Sequence, residues 1–168
     1  RAADDLADEG DAPADTRLAA LDTFERALAA IGRGETPPLD PFPALATAIR
    51  THALPLAPFR ALLSAFRQDV TTTSYATRSD LLDYCSRSAD PVGRIMLALY
   101  GVDGAQELRA SDAICTGLQL ANFWQDVAID AAKGRIYVPG EDLARYGVRA
   151  QDVLAGRPGP GWPALMAF

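Results

Sequence analysis

Apolar residues recur along this chain at helical spacing, and no run alternates with the period of two that a half-buried strand needs. Leu18, Leu21, Phe24, Ala27, Leu28 and Ile31 mark a helix that Asp15 or Thr16 can start. A short helical piece covers residues 1–9, and Gly10-Asp11-Ala12-Pro13 breaks it. Gly34, Pro37, Pro38 and Pro41 make residues 32–41 a loop, and a helix follows over Phe42–His52. Pro58 suits the first turn of a helix over 59–69, and the Thr-rich stretch 70–76 reads as a loop. Ser79-Asp80 opens a helix to Ser86 or Arg87, Pro91 breaks or kinks the chain near Asp90, and the helix resumes over 93–100. After a turn at 101–104, a long central helix is expected over 105–131, ended by Lys133-Gly134. Short helices at 139–145 and 148–154 and a Gly/Pro linker at 156–163 complete the pattern. The expected class is all-α.

The polar residues of the central helix do not scatter. At about 100° per residue, Gln119, Asn122, Asp126 and Asp130 fall within roughly 80° of one another. Leu118, Leu120, Ala121, Phe123, Trp124, Val127 and Ile129 take the rest of the circumference. A helix apolar nearly all round predicts burial. Two carboxylates and two amides would then sit inside a core, where charge is costly unless paired or metal-bound.

A second acidic group lies near the start, in Asp4-Asp5-Leu6-Ala7-Asp8-Glu9. Asp4 and Asp8, like Asp126 and Asp130, are at i,i+4 and share a helix face. At about 6 Å and an effective dielectric of about 20, two such carboxylates repel by roughly 3 kcal/mol. Mg²⁺ turns that repulsion into affinity, because it takes hard oxygen ligands, typically one or two carboxylates with water and substrate phosphates. Facing carboxylate pairs would clamp a diphosphate through several ions. Alone, the first cluster also reads as a solvated helix end.

Composition narrows the field. The 168 residues are 49% apolar, enough for a core, and the net charge of −6 argues against a nucleic-acid partner. No apolar run reaches the length of a membrane span, and the opening residues show no secretory signal. Cys85 and Cys115 have neither metal spacing nor a disulfide framework and read as inert buried thiols in a reducing compartment. His52 reads as a surface or helix-end residue, Trp124 as core, Lys133 as a helix C-terminal charge, and Arg60 and Arg67 as solvated. The apolar end, 162–168, reads as the first turns of a helix. The expectation is one partial domain, 1–168, lacking an N-terminal helix and C-terminal helices.

The chain resembles the squalene/phytoene synthase family of all-α isoprenoid synthases. The resemblance rests on Arg1-Ala2-Ala3-Asp4-Asp5-Leu6-Ala7-Asp8-Glu9, Leu82-Asp83-Tyr84-Cys85, Pro91-Val92-Gly93, Gly117 to Asn122 running into Asp126 and Asp130, and Lys133-Gly134-Arg135-Ile136-Tyr137-Val138-Pro139. Trp124-Gln125, where phytoene and presqualene diphosphate synthases usually carry Leu-Arg, points to the hydroxysqualene synthase branch of bacterial hopanoid biosynthesis. The resemblance implies Mg²⁺ as cofactor, with Asp4, Asp8, Asp126 and Asp130 as ligands helped by Asn122. It implies diphosphate contacts from Arg1 and Arg135, pocket roles for Tyr84 and Gln119, and a prenyl tunnel lined by Val92 and Gly93, where glycine leaves room for a methyl-branched chain. Two departures stand out: Ser74 replaces an arginine usual before Tyr75, and Asp90-Pro91 replaces a glycine-containing pair.

The implied reaction converts presqualene diphosphate to hydroxysqualene with release of diphosphate. Two alternatives stay open. One is a head-to-head prenyltransferase condensing two farnesyl or geranylgeranyl diphosphates to presqualene diphosphate, squalene or phytoene. The other is a non-catalytic helical metal-binding fragment. A cytoplasmic location is expected, and a lipid-soluble substrate is compatible with peripheral contact at the inner membrane. Product, oligomeric state and number of ions are not legible.

Overall fold

The computed structural model describes Ala3, Asp5, residues 12–157 and residues 159–167. Ten helices follow one another there: α1 (Ala14–Gly32), α2 (Phe42–His52), α3 (Leu56–Thr71), α4 (Arg78–Ser88), α5 (Asp90–Leu99), α6 (Ala105–Gln125), α7 (Val127–Ala132), α8 (Gly140–Arg145), α9 (Ala150–Leu154) and α10 (Trp162–Met166). The fold is all-α, and an isolated bridge between Ser74 and Ile136 is the extended pairing found among the described residues. None of the described helices is long and apolar enough to cross a membrane.

The chain divides into two compact units. Unit 1 holds the chain up to Thr71 with Ser86–Cys115. Its core is aliphatic with a little phenylalanine: Leu21, Leu28 and Ile31 of α1 meet Phe42, Ala46 and Ile49 of α2 and Leu63 of α3. These are the positions that the 3.6-residue period picks out. Phe24 meets the Phe42 ring edge-on at 5.0 Å. Arg67, expected to be solvated, instead pairs with Asp22 across α3 and α1. The side chain is long enough to reach back over a turn, which periodicity does not report.

Unit 2 holds Thr72–Cys85 with the chain from Thr116 onward. Ile136, Val138, Leu143, Val148, Val153 and Leu165 form its aliphatic core. The stretch 72–76, read as a plain loop, runs beside 136–141. The Ile136 N–H donates to the Thr73 carbonyl at 2.8 Å, Gly140 N–H to Tyr75 at 2.9 Å and Glu141 N–H to Ala76 at 3.0 Å.

The central helix departs from expectation twice. It is not continuous: α6 ends at Gln125, and Asp126, at φ −97° and ψ 10°, stands between it and α7. Nor is it buried. Phe123 is its buried residue, while Ile114 and Leu118 are each 62% exposed and Ile129 on α7 is 59% exposed. An all-round apolar surface needs neighbours on every side, and the described residues supply them on part of it. The break at Pro91 is as expected: α4 stops at Ser88, and α5 begins at Asp90 with Pro91 in its first turn.

Candidate functional site

Three residues of the polar stripe are linked through their backbones. The Asp126 N–H donates to the Asn122 carbonyl at 2.8 Å, and the Asp130 N–H to the Asp126 carbonyl at 2.9 Å. The hydrogen-bond ladder is interrupted between the two helices, but these two i→i+4 bonds still link Asn122, Asp126 and Asp130 in series. Asn122 and Asp126 are exposed; Gln119 and Asp130 are half-buried. The stripe is thus accessible to a ligand rather than enclosed in a core.

α7 ends in a tight reversal. Gly134, at φ +76°, lies in the left-handed region that a Cβ disfavours. Its N–H donates to Ala131 at 3.0 Å, and the Arg135 N–H donates to Asp130 at 2.9 Å. This double closure is the Schellman arrangement. It explains why glycine stands between Lys133 and Arg135, and it ties the Arg135 backbone to the last acidic residue.

Residues 133–139 form a strap that leads from there to α8. On it, the Tyr137 ring stacks on Phe123 with centroids 3.9 Å apart and planes 5° from parallel. Tyr75 lies 5.9 Å from Tyr137. Tyr84 completes the cluster, 5.4 Å from Tyr75 and 6.2 Å from both Phe123 and Tyr137. Tyr75, Tyr84 and Phe123 are buried. The Arg135 guanidinium donates to the Tyr137 hydroxyl at 3.4 Å. One turn of α6 thus presents Asn122 outward while the next residue, Phe123, anchors the tyrosines. Of this cluster, the family resemblance assigned a pocket role to Tyr84 alone, although Tyr137 lay in the 133–139 motif between buried Ile136 and Val138.

The N-terminus of α4 is held by two devices. Thr77 and Asp80 form a capping box: the Asp80 carboxylate accepts from Thr77 N–H at 3.0 Å and Oγ1 at 2.8 Å, and the Thr77 hydroxyl accepts from Asp80 N–H at 3.1 Å. The helix therefore starts earlier than the expected Ser79. Glu141 of α8 accepts the Arg78 N–H at 2.7 Å, and the Arg78 guanidinium grips buried Asp142 through both carboxylate oxygens at 2.6–3.0 Å. Hydrogen bonding to Asp142 holds the Arg78 guanidinium above its already high ordinary pKa.

An apolar cavity of about 500 Å³ opens beside this pair, walled by Leu81 and Leu82 of α4, Leu120, Ala121 and Trp124 of α6, and Met166 of α10. Trp124 is a half-buried wall of this cavity rather than an enclosed core residue. Its three α6 residues lie about 160° around the helix from the centre of the polar stripe. The cavity thus opens on the side of α6 opposite Gln119 and Asn122.

Arg1, Asp4 and Asp8 lie outside the described residues. Among the described residues no three histidine, cysteine or acidic side chains gather as a metal site. Val92 on α5 is 51% exposed and Gly93 is half-buried. A methyl group at Gly93 would fall against Ser111 Oγ and Cys115 Sγ of α6. Close helix crossing is therefore a packing reason for glycine there, independent of any tunnel. Next to it Arg94 grips Asp112 at 2.6 and 2.8 Å, a bond that keeps its guanidinium above the ordinary pKa. Cys85 is buried as expected, but Cys115 is only half-buried.

The all-α fold, the acidic stripe and the strap that follows it define a class. The chain belongs to the squalene/phytoene synthase family, whose model matches residues 1–168. The hydroxysqualene synthase of Rhodopseudomonas palustris is 38% identical over 154 residues, covering 91% of this chain and 51% of that protein. The 15-cis-phytoene synthase of Synechococcus elongatus is 34% identical over 180 residues, covering 100% of this chain and 58% of that protein. Squalene synthase HpnC from Alicyclobacillus acidocaldarius superposes with a TM-score of 0.88 at 43% identity, covering 98% of this chain and 61% of that one. The chain thus spans between half and three-fifths of the length of these relatives.

Proposed function

We propose that this chain is the part of a Mg²⁺-dependent isoprenoid synthase that carries its diphosphate-binding acidic residues, and that the enzyme converts presqualene diphosphate to hydroxysqualene. The observation that carries this reading is the pair of i→i+4 backbone bonds that links Asn122, Asp126 and Asp130 across the break between α6 and α7, followed at once by the Gly134 turn that brings back Arg135. The donors fit the ion: two carboxylates and one amide oxygen are hard ligands on an accessible face, and they leave coordination positions for water and phosphate oxygens. Asp126 and Asp130 would hold Mg²⁺ with help from Asn122, and Asp4 and Asp8 would supply the facing pair. When bound, the ions neutralise charge developing on the departing diphosphate.

This chain's own residues account for the remaining steps. Arg135, and Arg1 from the early motif, stabilise diphosphate as the substrate C–O bond breaks and the electron pair leaves with it. The cyclopropylcarbinyl cation then opens. Water oxygen bonds to carbon and gives up a proton, completing hydroxysqualene. Tyr84 and Gln119 orient the reacting carbons, with Tyr84 held by the ring cluster. Val92 and Gly93 belong to the wall that shelters the prenyl chain from water.

The similarity to a phytoene synthase over the whole chain favours a second reading, head-to-head condensation of two prenyl diphosphates. Incubating the full-length protein and Mg²⁺ with each diphosphate separates the two. The first reading expects hydroxysqualene from presqualene diphosphate. Consumption of farnesyl diphosphate with presqualene diphosphate untouched ends it. Metal binding without turnover of either would favour the non-catalytic alternative.

A further inference from the structure

The Arg78–Asp142 pair has features that simple stabilisation does not need. Its partners are 64 positions apart, Asp142 is buried, and the contact uses both carboxylate oxygens. A buried ion pair is weak evidence for stability, because well-packed apolar residues often serve as well. A forked guanidinium–carboxylate contact does fix direction. Here it fixes the start of α8, where the strap arrives. The strap has no helix or sheet of its own. At one end the Arg135 N–H is tied to Asp130. In the middle Ile136 is tied to Thr73. At the far end Gly140 and Glu141 are tied to Tyr75 and Ala76, and Glu141 and Asp142 close on Arg78. Between these ties lies Tyr137, stacked on Phe123 and touching Arg135.

We infer that Arg78 and Asp142 are positioning residues: their forked contact pins the strap so that Tyr137 stays stacked on Phe123 and Arg135 stays held between its backbone tie to Asp130 and its side-chain contact with Tyr137. The inference rests on the reading of that motif and Arg135 as the diphosphate end. Neither Arg78 nor Asp142 touches substrate in this scheme. They act through Tyr137 and Arg135, and a displacement of about 1 Å at such a site can lower rate by about 10²-fold.

The test uses full-length protein and three variants. Arg78→Lys keeps the charge but loses the fork. Asp142→Asn loses the charge, and Arg78→Met with Asp142→Leu replaces the pair by apolar packing. Three quantities are measured: thermal melting, calorimetric affinity for Mg²⁺ with inorganic diphosphate, and hydrogen exchange of the Ile136, Gly140 and Glu141 amides. Arg78→Lys and the double variant are expected to bind Mg²⁺–diphosphate about tenfold more weakly, with faster exchange confined to the strap and melting close to wild type. Unchanged strap exchange or unchanged affinity in both overturns the inference, as does a loss that follows melting temperature through all three variants. A wild-type protein that does not bind Mg²⁺–diphosphate overturns the functional reading instead. Pinning of the strap is then decided by exchange alone, where wild-type rates in Arg78→Lys reject it.

Discussion

The two units are built from different kinds of contact. In unit 1, leucine, isoleucine and phenylalanine of α1, α2 and α3 bury one another, with Asp69 and Asp90 also buried in the unit and the Arg33–Glu35 and Arg94–Asp112 pairs nearer its surface. In unit 2 the aliphatic core is accompanied by four stacked or tilted rings, three of them tyrosines, and by a buried aspartate held through both oxygens. Hydrophobic burial is non-directional and tolerates rearrangement. Ring stacking and forked hydrogen bonds fix orientation. The difference assigns the α1–α3 core of unit 1 to stability and the ring cluster of unit 2 to orienting the strap.

The contrast predicts opposite responses to substitution. Asp126→Asn in the full-length protein should lower turnover by about 10²–10³-fold, with circular dichroism and melting unchanged; retained turnover would remove the acidic stripe from the chemistry. Leu21→Ala, at a fully buried position of unit 1, should lower stability by about 2–5 kcal/mol in urea titration. Activity per folded molecule should stay near wild type, and a matching loss of kcat would dissolve the division of labour. Gly93→Ala should cost about 1–3 kcal/mol through overpacking against Ser111 and Cys115. Combining it with Ser111→Ala should recover part of that stability. If stability is untouched and only the KM for the prenyl substrate rises, Gly93 belongs to the tunnel rather than to the helix crossing.

The smallest effect concerns the exposed Arg33–Glu35 pair of unit 1. Its hydrogen bond to Arg33 holds the Glu35 carboxyl below the ordinary glutamate range. A depressed carboxylate contributes stability above its unfolded pKa and loses it as pH falls through the folded value. Glu35→Gln should therefore match wild type at acid pH and fall barely below it near neutrality, a gap that salt removes. A gap that widens toward acid would reverse the sign and reject the pairing.

Much of this was legible because it is local. Helical periodicity and the punctuation by Pro41, Pro91 and Gly134 report interactions within a few residues, and the α1 core positions follow from them. The register of Asn122, Asp126 and Asp130 is local too. The exposure of Leu118 was not legible: an apolar surface signals that it should be covered, not which segment covers it. The break at Asp126 keeps the i,i+4 spacing of its polar residues and so leaves no mark in the pattern. Tyr75 and Tyr137 were named in motifs, but their ring contacts and the Arg78–Asp142 fork were missed because each is a meeting of distant segments, and a single sequence carries no record of pairing. Gly93 shows a subtler gap, since a missing side chain looks the same whether it makes space for a ligand or for a neighbouring helix.

The turn at Gly134 has an electrostatic consequence. Left open, the carboxyl end of α7 would direct unsatisfied carbonyls, the negative pole of its dipole, toward the place where the proposed reading puts the diphosphate. The reversal occupies the Asp130 and Ala131 carbonyls with amide protons and sets two cationic side chains, Lys133 and Arg135, on either side of the glycine. One residue in left-handed geometry thereby converts a repelling helix end into an attracting one, and the polarity of that short segment would be undone by any side chain that prevents the turn.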